Sequence, residues 1–254
     1  MFIYFRFAIY AMDVYQQMAE YYDVIYSDQL DVEFYLAEAK NARGPVLEVA
    51  CGTGRILLRL LQEGIDASGI DLSPAMIDVL KRKAGAMGLQ PDVHVANMAD
   101  FRLGRKFNLI IVPYRSFLHL ATEDERKSAL QLFKEHLNPG GRLILHTYNP
   151  SEEDLEMTDD YHHFDHEEFS REGKKHVTDW FLKYEPSERA GNYRITLTLE
   201  DGKKFDYGMK IYFIKPKNMK ELLERAGFKN IRRYCGFDYS VDEDCTEVLW
   251  VAEG

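Results

Sequence analysis

The chain has 254 residues, enough for one large α/β domain or for such a domain with a sizeable insertion. A formal net charge of −10 argues against a nucleic-acid backbone as the main partner, because binding phosphates requires a basic face. The three cysteines, Cys51, Cys235 and Cys245, lack metal-ligand spacing, which predicts a reducing compartment, the cytoplasm, and no disulfide framework.

The first predicted elements are two helices, Asp13–Ile25 and Asp31–Arg43. The twelve residues before them are apolar and aromatic but too short to span a membrane. We expect them either to pack over a ligand cleft or to precede a native start at Met12.

A strand, a glycine turn and a helix then follow one another directly. Val46–Val49 predicts a buried strand, ACGTG at 50–54 a tight turn, and Arg55–Gln62 a helix. This order brings backbone N–H groups and a helix N-terminus close to a ligand. Gly52 and Gly54 suit either a close approach to that ligand or a positive φ.

The next strand, Ser68–Asp71, ends in a carboxylate placed to accept hydrogen bonds from a ribose diol. The turn and Asp71 together indicate a nucleotide-like cofactor. A dinucleotide fingerprint requires a third glycine where this chain has Leu57, which argues against a nicotinamide cofactor.

The strand and helix alternation continues to residue 150. Ser73 and Pro74 predict a helix start, and Thr122 with Glu125 predicts a capping box. Further strands are predicted at Val93–Ala96, Leu109–Val112 and Arg142–Thr147, with a helix between the last two that stops at 138–141. The pattern predicts an α/β fold with a doubly wound parallel sheet that binds ligands at the carboxyl ends of its strands.

After Pro150 the alternation of strands and helices ends. Residues 151–170 are acidic and predict a solvated loop; their histidines, His162, His163 and His166, fit no standard metal spacing, so we predict no metal site. The strands His176–Tyr184, Tyr193–Glu200 and Phe205–Phe213 predict an antiparallel meander with a hairpin turn at 201–202. A helix, Asn218–Ala226, and two strands, Lys229–Cys235 and Thr246–Ala252, close the chain. We therefore expect one domain from 1–150 and 216–254, interrupted by a lid or dimerisation subdomain at 151–215.

This series of motifs resembles the class I S-adenosylmethionine-dependent methyltransferases of the small-molecule N- or O-methyltransferase type. The parts that carry the resemblance are VLEVACGTGR, GIDLS, VHVANMADF, FNLIIVPYRSFLHL, LNPGGRLILHTY and the ending KELLERAGFKNIRRY…TEVLWVAE. The resemblance covers about residues 20–150 and 216–253. It implies a Rossmann-like, seven-stranded mixed sheet and in-line methyl transfer from S-adenosyl-L-methionine to a small-molecule N or O acceptor.

The resemblance also implies a set of cofactor contacts. Glu48 orients the turn and the methionine end of the cofactor, Asp71 takes the ribose hydroxyls, and Asn97 meets the adenine amino group unless it only caps a turn. Ala50 stands where the family usually has its first glycine. The full implied set is Tyr22, Tyr26, Glu48, Ala50, Gly52, Gly54, Asp71, Leu72, Asn97, Met98, Val112 and Pro113. The two tyrosines have a second interpretation as amphipathic helix packing.

The acceptor is expected beyond the fourth strand. Tyr114, Arg115, His119 and Tyr148 are the implied substrate-binding residues. His119 is also the candidate general base, although the reaction needs one only where the acceptor must lose a proton. Arg115 either holds an anionic group of the substrate or forms a surface salt bridge.

Two other functions stay open: a protein that binds S-adenosylmethionine without turnover, and a nicotinamide-dependent oxidoreductase. The expected partners are a small-molecule acceptor and a second copy of the chain through the meander, with no nucleic acid and no membrane.

Overall fold

A computed structural model describes residues 15–16, 18–26, 30–171, 173–242 and 245–254. They fall into two compact units. The large unit comprises the described residues from 30 to 149 and from 214 to 254; the small unit comprises those up to 26 and those from 150 to 213. The opening residues 1–14, which were expected to pack over a cleft or precede a start at Met12, lie outside the described part of the chain.

Eleven strands are present among the described residues. They are β1 (Val46–Val49), β2 (Ala67–Asp71), β3 (Asp92–Val95), β4 (Phe107–Val112), β5 (Leu137–Tyr148), β6 (His162–Arg171), β7 (Lys174–Glu185), β8 (Ala190–Leu199), β9 (Lys204–Tyr212), β10 (Lys229–Cys235) and β11 (Glu247–Glu253). The large unit holds a seven-stranded sheet of order β10-β11-β5-β4-β1-β2-β3. In this sheet β11 alone runs in the direction opposite to the other six strands. This confirms the predicted seven-stranded mixed sheet.

The described residues also form seven α-helices and two 3-10 turns. The helices are α1 (Tyr22–Ile25), α2 (Leu30–Ala42), α3 (Leu57–Gln62), α4 (Pro74–Ala86), α5 (Glu123–His136), α6 (Glu152–Glu156) and α7 (Pro216–Arg225), and the 3-10 turns span Ser116–His119 and Gly236–Asp238. None of the helices in the described residues is long and apolar enough to cross a membrane.

Burial explains the central strands of the large unit. All four residues of β1 are buried, and so are five of the six in β4. Strands covered by helices on both faces carry such near-continuous apolar runs. The helices begin where the sequence indicated: the Ser73 hydroxyl accepts the Met76 N–H, and Thr122 and Glu125 form the reciprocal capping box of α5.

The small unit is a four-stranded antiparallel sheet of order β6-β7-β8-β9. Three of its strands match the predicted meander. The expectation of a solvated loop over 151–170 was wrong for its second half, because β6 pairs with β7 along its length. As an exposed edge strand, β6 buries no side chain and so shows no apolar alternation in the sequence.

The N-terminal boundary of the units also differs from the expected one. We placed residues 1–150 in one domain, but the described residues up to 26 make their contacts with the small unit. Tyr21 packs against Phe205 with ring centroids 4.5 Å apart, and Tyr26 against Trp180 at 5.6 Å. The predicted helix Asp13–Ile25 is interrupted by a turn at 19–21, so that α1 is only its last part; residues 13, 14 and 17 lie outside the described residues.

The two capping boxes allow a matched stability test. Thr122→Ala removes the cap of a fourteen-residue helix that buries Leu130 and Phe133, and should lower the free energy of unfolding by about 1 kcal/mol. Ser151→Ala removes the same motif from α6, which buries no residue. This variant should change the free energy of unfolding by less than about 0.5 kcal/mol. Urea unfolding of both variants measures the difference. An equal loss of unfolding free energy in the two would contradict the conclusion that α5 contributes more to stability than α6.

Candidate functional site

The glycine turn after β1 alternates between left-handed and ordinary backbone. Ala50, Gly52 and Gly54 have φ values of +59°, +52° and +85°. A Cβ on Gly54 would lie 2.8 Å from Leu80 Cγ, so this glycine is required for packing. A Cβ on Gly52 would meet nothing within 4 Å, so the Gly52 backbone borders open space where a ligand can approach.

Leu57 shows why the turn is not a dinucleotide fingerprint. Its side chain is fully buried, and its Cδ2 would lie 2.8 Å from a Cβ on Gly69 in β2. In the dinucleotide motif the helix supplies the glycine at this helix–strand contact. Here the helix supplies the leucine and the strand supplies the glycine.

Asp71 fixes the turn to the end of β2. Its Oδ2 accepts the Gly52 N–H at 2.8 Å, and its Oδ1 accepts the Ser73 N–H at the same distance. Burial raises the pKa of this carboxyl, while the N–H groups of Ser73, Gly52 and Leu72 oppose the rise. The carboxylate is therefore held rigidly at the carboxyl end of its strand, where a parallel sheet presents ligand-binding groups.

Glu48 is a buried carboxyl with an unused oxygen. It is 2 % exposed, and burial raises its pKa well above the usual range despite the opposing charge of Arg55 and the N–H of Leu57. Its Oε2 has no hydrogen-bond partner among the described residues. A buried acceptor without a partner is costly, so this oxygen is suited to a donor or cation supplied by a ligand.

Arg55, a residue that the sequence did not single out, links the turn to neighbouring elements. Its guanidinium forms a bidentate pair with the buried Asp31 of α2, with Nη2 and Oδ2 2.8 Å apart. It also lies 5.2 Å from the ring centroid of Tyr114, which follows β4. The only local signal was a basic residue directly after the turn, because Asp31 is 24 residues away in sequence.

The end of β3 carries the predicted adenine contacts. Asn97 Oδ1 accepts the Ala99 N–H at 2.9 Å, so this amide caps a turn, which was the second interpretation of it. Met98 is half-buried next to it, and Leu72 is half-buried after Asp71 at the end of β2. The three residues follow neighbouring strands of one sheet edge.

The segment after β4 is strained. Val112 and Pro113 are buried, and then Tyr114 and Arg115 both adopt left-handed backbone, with φ of +54° and +64°. Two consecutive non-glycine residues in this region are uncommon and concentrate at functional sites. The following 3-10 turn ends at the half-buried His119.

Arg115 belongs to a charged network that the sequence did not reveal. It pairs with Glu247 at the start of β11, and Glu247 Oε2 lies 2.6 Å from Nε2 of the buried His146. The Arg115 guanidinium also lies 4.3 Å from the ring centroid of Tyr148. Burial would raise the pKa of Glu247, but the hydrogen bond from His146 and the charge of Arg115 outweigh burial and lower it to about 2. This carboxylate is therefore ionised at neutral pH.

The predicted residues thus divide between the units. Those from the glycine turn to Tyr148 lie at the carboxyl edge of the large sheet or in the segments that follow its strands. Tyr22 and Tyr26 lie in the small unit, where their rings pack 4.6 Å apart and Tyr26 contacts Trp180. That packing is the second interpretation given to them.

Three comparisons agree with this geometry. Residues 46–141 match the methyltransferase domain model. The chain is 34% identical over 143 residues to a dTDP-3-amino-3,4,6-trideoxy-alpha-D-glucopyranose N,N-dimethyltransferase of Streptomyces venezuelae, a match covering 49% of this chain and 57% of the relative. The chain spans just over half the length of the curated relatives that it matches first.

Two solved structures resemble the chain over nearly all of its length. The CcbJ methyltransferase of Streptomyces caelestis has a TM-score of 0.79 at 21% identity, covering 94% of this chain and 97% of that one. The S-adenosylmethionine-bound CalS10 amino pentose methyltransferase of Micromonospora echinaspora has a TM-score of 0.72 at 19% identity, covering 91% and 95%. At these identities, both similarities show a shared fold and nothing more.

The sheet order and the similarity to solved structures show a Rossmann-like methyltransferase fold, with the glycine turn held by the acid that ends β2. Residues 46–141 match a methyltransferase domain, and the chain is similar to S-adenosylmethionine-dependent methyltransferases in sequence over about half its length and in fold over nearly all of it.

The two turn glycines should respond differently to one added methyl group. Both variants place an alanine in left-handed backbone, which is unfavourable. Gly54→Ala also overlaps Leu80 and Leu58, whereas Gly52→Ala overlaps no neighbour. Gly54→Ala should therefore be less stable than Gly52→Ala by about 1–3 kcal/mol. Denaturant unfolding of the two proteins without ligand measures this difference, and a less stable Gly52→Ala would refute the packing role of Gly54.

Proposed function

We propose that this protein transfers a methyl group from S-adenosyl-L-methionine to the amine nitrogen of a small molecule, with an amino sugar as the substrate class. The observation that carries the proposal is the buried Oε2 of Glu48, which has no hydrogen-bond partner among the described residues, beside a glycine turn hydrogen-bonded to Asp71. Together they offer an acceptor for the amino group of the methionine part and a fixed carboxylate for the ribose diol of the adenosyl part of this cofactor.

The residues present fit the cofactor in several further respects. Gly52 leaves the space that a side chain would fill, and Ala50 keeps left-handed backbone at the position of the usual glycine. Leu72 and Met98 offer half-buried apolar surface for the adenine, and Asn97 Oδ1, which accepts the Ala99 N–H, has a second lone pair for the adenine amino group. Val112 and Pro113 supply the buried backbone that would meet the methionine moiety.

When bound there, the cofactor supplies a methyl group on a sulfonium: the amine lone pair forms the C–N bond as the C–S bond breaks, and the ammonium then loses a proton. The chain has to hold both reactants aligned and shielded from water. No nucleophilic side chain is needed, which agrees with the absence of a catalytic triad signal in the sequence.

The Arg115–Glu247–His146 network is the proposed acceptor side. Glu247 lies opposite Tyr148 in the sheet, at the carboxyl end of β5. Its ionised carboxylate suits the ammonium that methyl transfer to the neutral amine forms, and its pairing with Arg115 makes a structural role for that arginine more direct than binding of a substrate anion. Tyr114, Tyr148 and His119 complete the proposed lining, with His119 as the group that would accept the proton.

The choice of an amine is supported by the relatives, because the S. venezuelae enzyme is described as an amino-sugar N,N-dimethyltransferase and CalS10 as an amino pentose methyltransferase. A protein that binds the cofactor without turnover is the second candidate. An oxidoreductase is disfavoured by the packing of Leu57 against Gly69.

A panel assay tests the activity. Purified protein is incubated with methyl-labelled cofactor and with nucleotide-linked amino sugars, each paired with the analogue that has a hydroxyl in place of the amine. We expect label in the amino sugar and not in its hydroxyl partner. Label in the hydroxyl analogues alone would overturn the N acceptor, and cofactor binding with no transfer to any member would favour the non-catalytic protein.

Glu247→Gln tests the acceptor side separately from the cofactor side. Loss of the negative charge leaves Arg115 and His146 without their shared partner. With an acceptor from the panel, kcat/KM should fall about ten-fold or more because the acceptor is misplaced. The dissociation constant of the cofactor should stay within two-fold.

The matched control is Glu253→Gln at the other end of β11, where Glu253 pairs with the exposed Asn230. It should leave both quantities unchanged. If Glu247→Gln behaves like this control, Glu247 does not form part of the acceptor site.

Two finer expectations also belong to this proposal. The three cysteines are free thiols, which supports a reducing compartment such as the cytoplasm. Pairing of two copies through the small unit is supported by the edge position of β6 and β9 in its sheet.

A further inference from the structure

An extra residue in β6 changes which of its side chains share a face. In a regular strand, residues three apart point to opposite faces. Here the pairing shifts between His163 and Asp165: His163 lies opposite Phe181, Asp165 opposite Trp180 and His166 opposite Asp179. Phe164 is therefore a β-bulge, two residues against one, and it turns His163 and His166 to the same face.

The partner strand completes a cluster on that face. Asp179 and Phe181 are two residues apart in β7, so their side chains also point the same way. Asp179 Oδ1 lies 3.1 Å from His163 Nε2 and 2.7 Å from His166 Nδ1, and one ligand atom from each of the three residues lies within 4.8 Å of the others. The histidines are exposed and Asp179 is half-buried, so an ion can enter from solvent.

The two distances from Asp179 Oδ1, 2.7 and 3.1 Å, are close to the edges of a coordination sphere. With bonds of about 2.0–2.2 Å, ligand atoms around a tetrahedral or octahedral zinc-like ion are about 2.8–3.6 Å apart. Two imidazoles and one carboxylate suit borderline divalent transition ions rather than calcium or magnesium. His166 Nε2 lies 3.6 Å from Glu168, a carboxylate placed to orient the ring if its Nδ1 binds the ion.

The surrounding charges favour a cation. Both Asp179 and Glu168 pair with His166, whereas the Arg194 guanidinium of β8 stacks on Phe181 at 4.5 Å. His163 and His166 have no other cation among their described partners. The cluster is thus more than a single exposed His–Asp pair.

We infer that this face of the small unit binds one zinc-class divalent ion through His163, His166 and Asp179. Water completes the coordination, so the site keeps an open position. The ion joins the edge strand β6 to β7 and stabilises the small unit by binding its folded form. The chain spacing of the histidines predicts no metal motif, because the third ligand comes from the neighbouring strand and the bulge changes the alternation.

The test is calorimetric titration of zinc into the untagged, full-length protein after EDTA treatment and dialysis. We expect one ion per chain, with affinity at least about ten-fold weaker in His163→Ala and in His166→Ala. The control is His162→Ala, which removes a neighbouring exposed histidine that has its own carboxylate partner, Asp159, at 2.7 Å. It should bind zinc within two-fold of the unchanged protein.

A second readout separates loss of the site from loss of the fold. Zinc should raise the thermal midpoint of the unchanged protein and of His162→Ala, and should leave that of the double variant His163→Ala/His166→Ala unmoved, while all three give the same circular dichroism without metal. The inference is overturned if the double variant binds zinc as tightly as the unchanged protein, if His162→Ala loses binding equally, or if none of the proteins binds.

Discussion

The hydrogen bond from the Gly52 N–H to Asp71 is the interaction on which the candidate site depends. It joins the turn after β1 to the end of β2, two strands that already pair in parallel along their length. The same carboxylate holds the start of the next segment through Ser73. One side chain therefore sets the position of both the glycine turn and the beginning of α4.

Apolar packing against the turn and β2 also stabilises this arrangement. Leu57 fills the space that Gly69 leaves, and Gly54 admits Leu58 and Leu80. Other groups near the turn are less well satisfied: Glu48 has a buried oxygen with no partner in the described part of the chain, and Tyr114 and Arg115 adopt left-handed backbone. Left-handed backbone and a buried polar atom next to the glycine turn are features that ligand sites often have.

Local patterns were sufficient to predict the parts of the fold that depend on neighbours in sequence. The apolar strands β1 and β4, the Ser73 cap and the order of elements in the large unit follow from burial and capping. The turn and Asp71 were predictable because their spacing follows from the strand–turn–helix geometry. A solvated edge strand has no such pattern, so β6 was predicted as a loop.

Contacts between distant residues account for what could not be predicted. Glu247 is 132 residues from Arg115 and 101 from His146, and nothing in a local pattern joins them. The cluster of His163, His166 and Asp179 needs both a strand pairing and a bulge. The placement of the N-terminal tyrosines with the small unit depends on aromatic partners such as Phe205 and Trp180, far along the chain.

The most direct test of the central claim is calorimetric titration of the purified protein and of Asp71→Asn with S-adenosylmethionine, S-adenosylhomocysteine and NAD. Asparagine keeps the size of the side chain but loses one acceptor, so the turn and the ribose contact are both weakened. We expect saturable binding of the first two ligands, at least about ten-fold weaker in the variant, and no binding of NAD. Binding of NAD without either sulfur ligand, or equal affinity of both proteins for S-adenosylmethionine, would contradict the account.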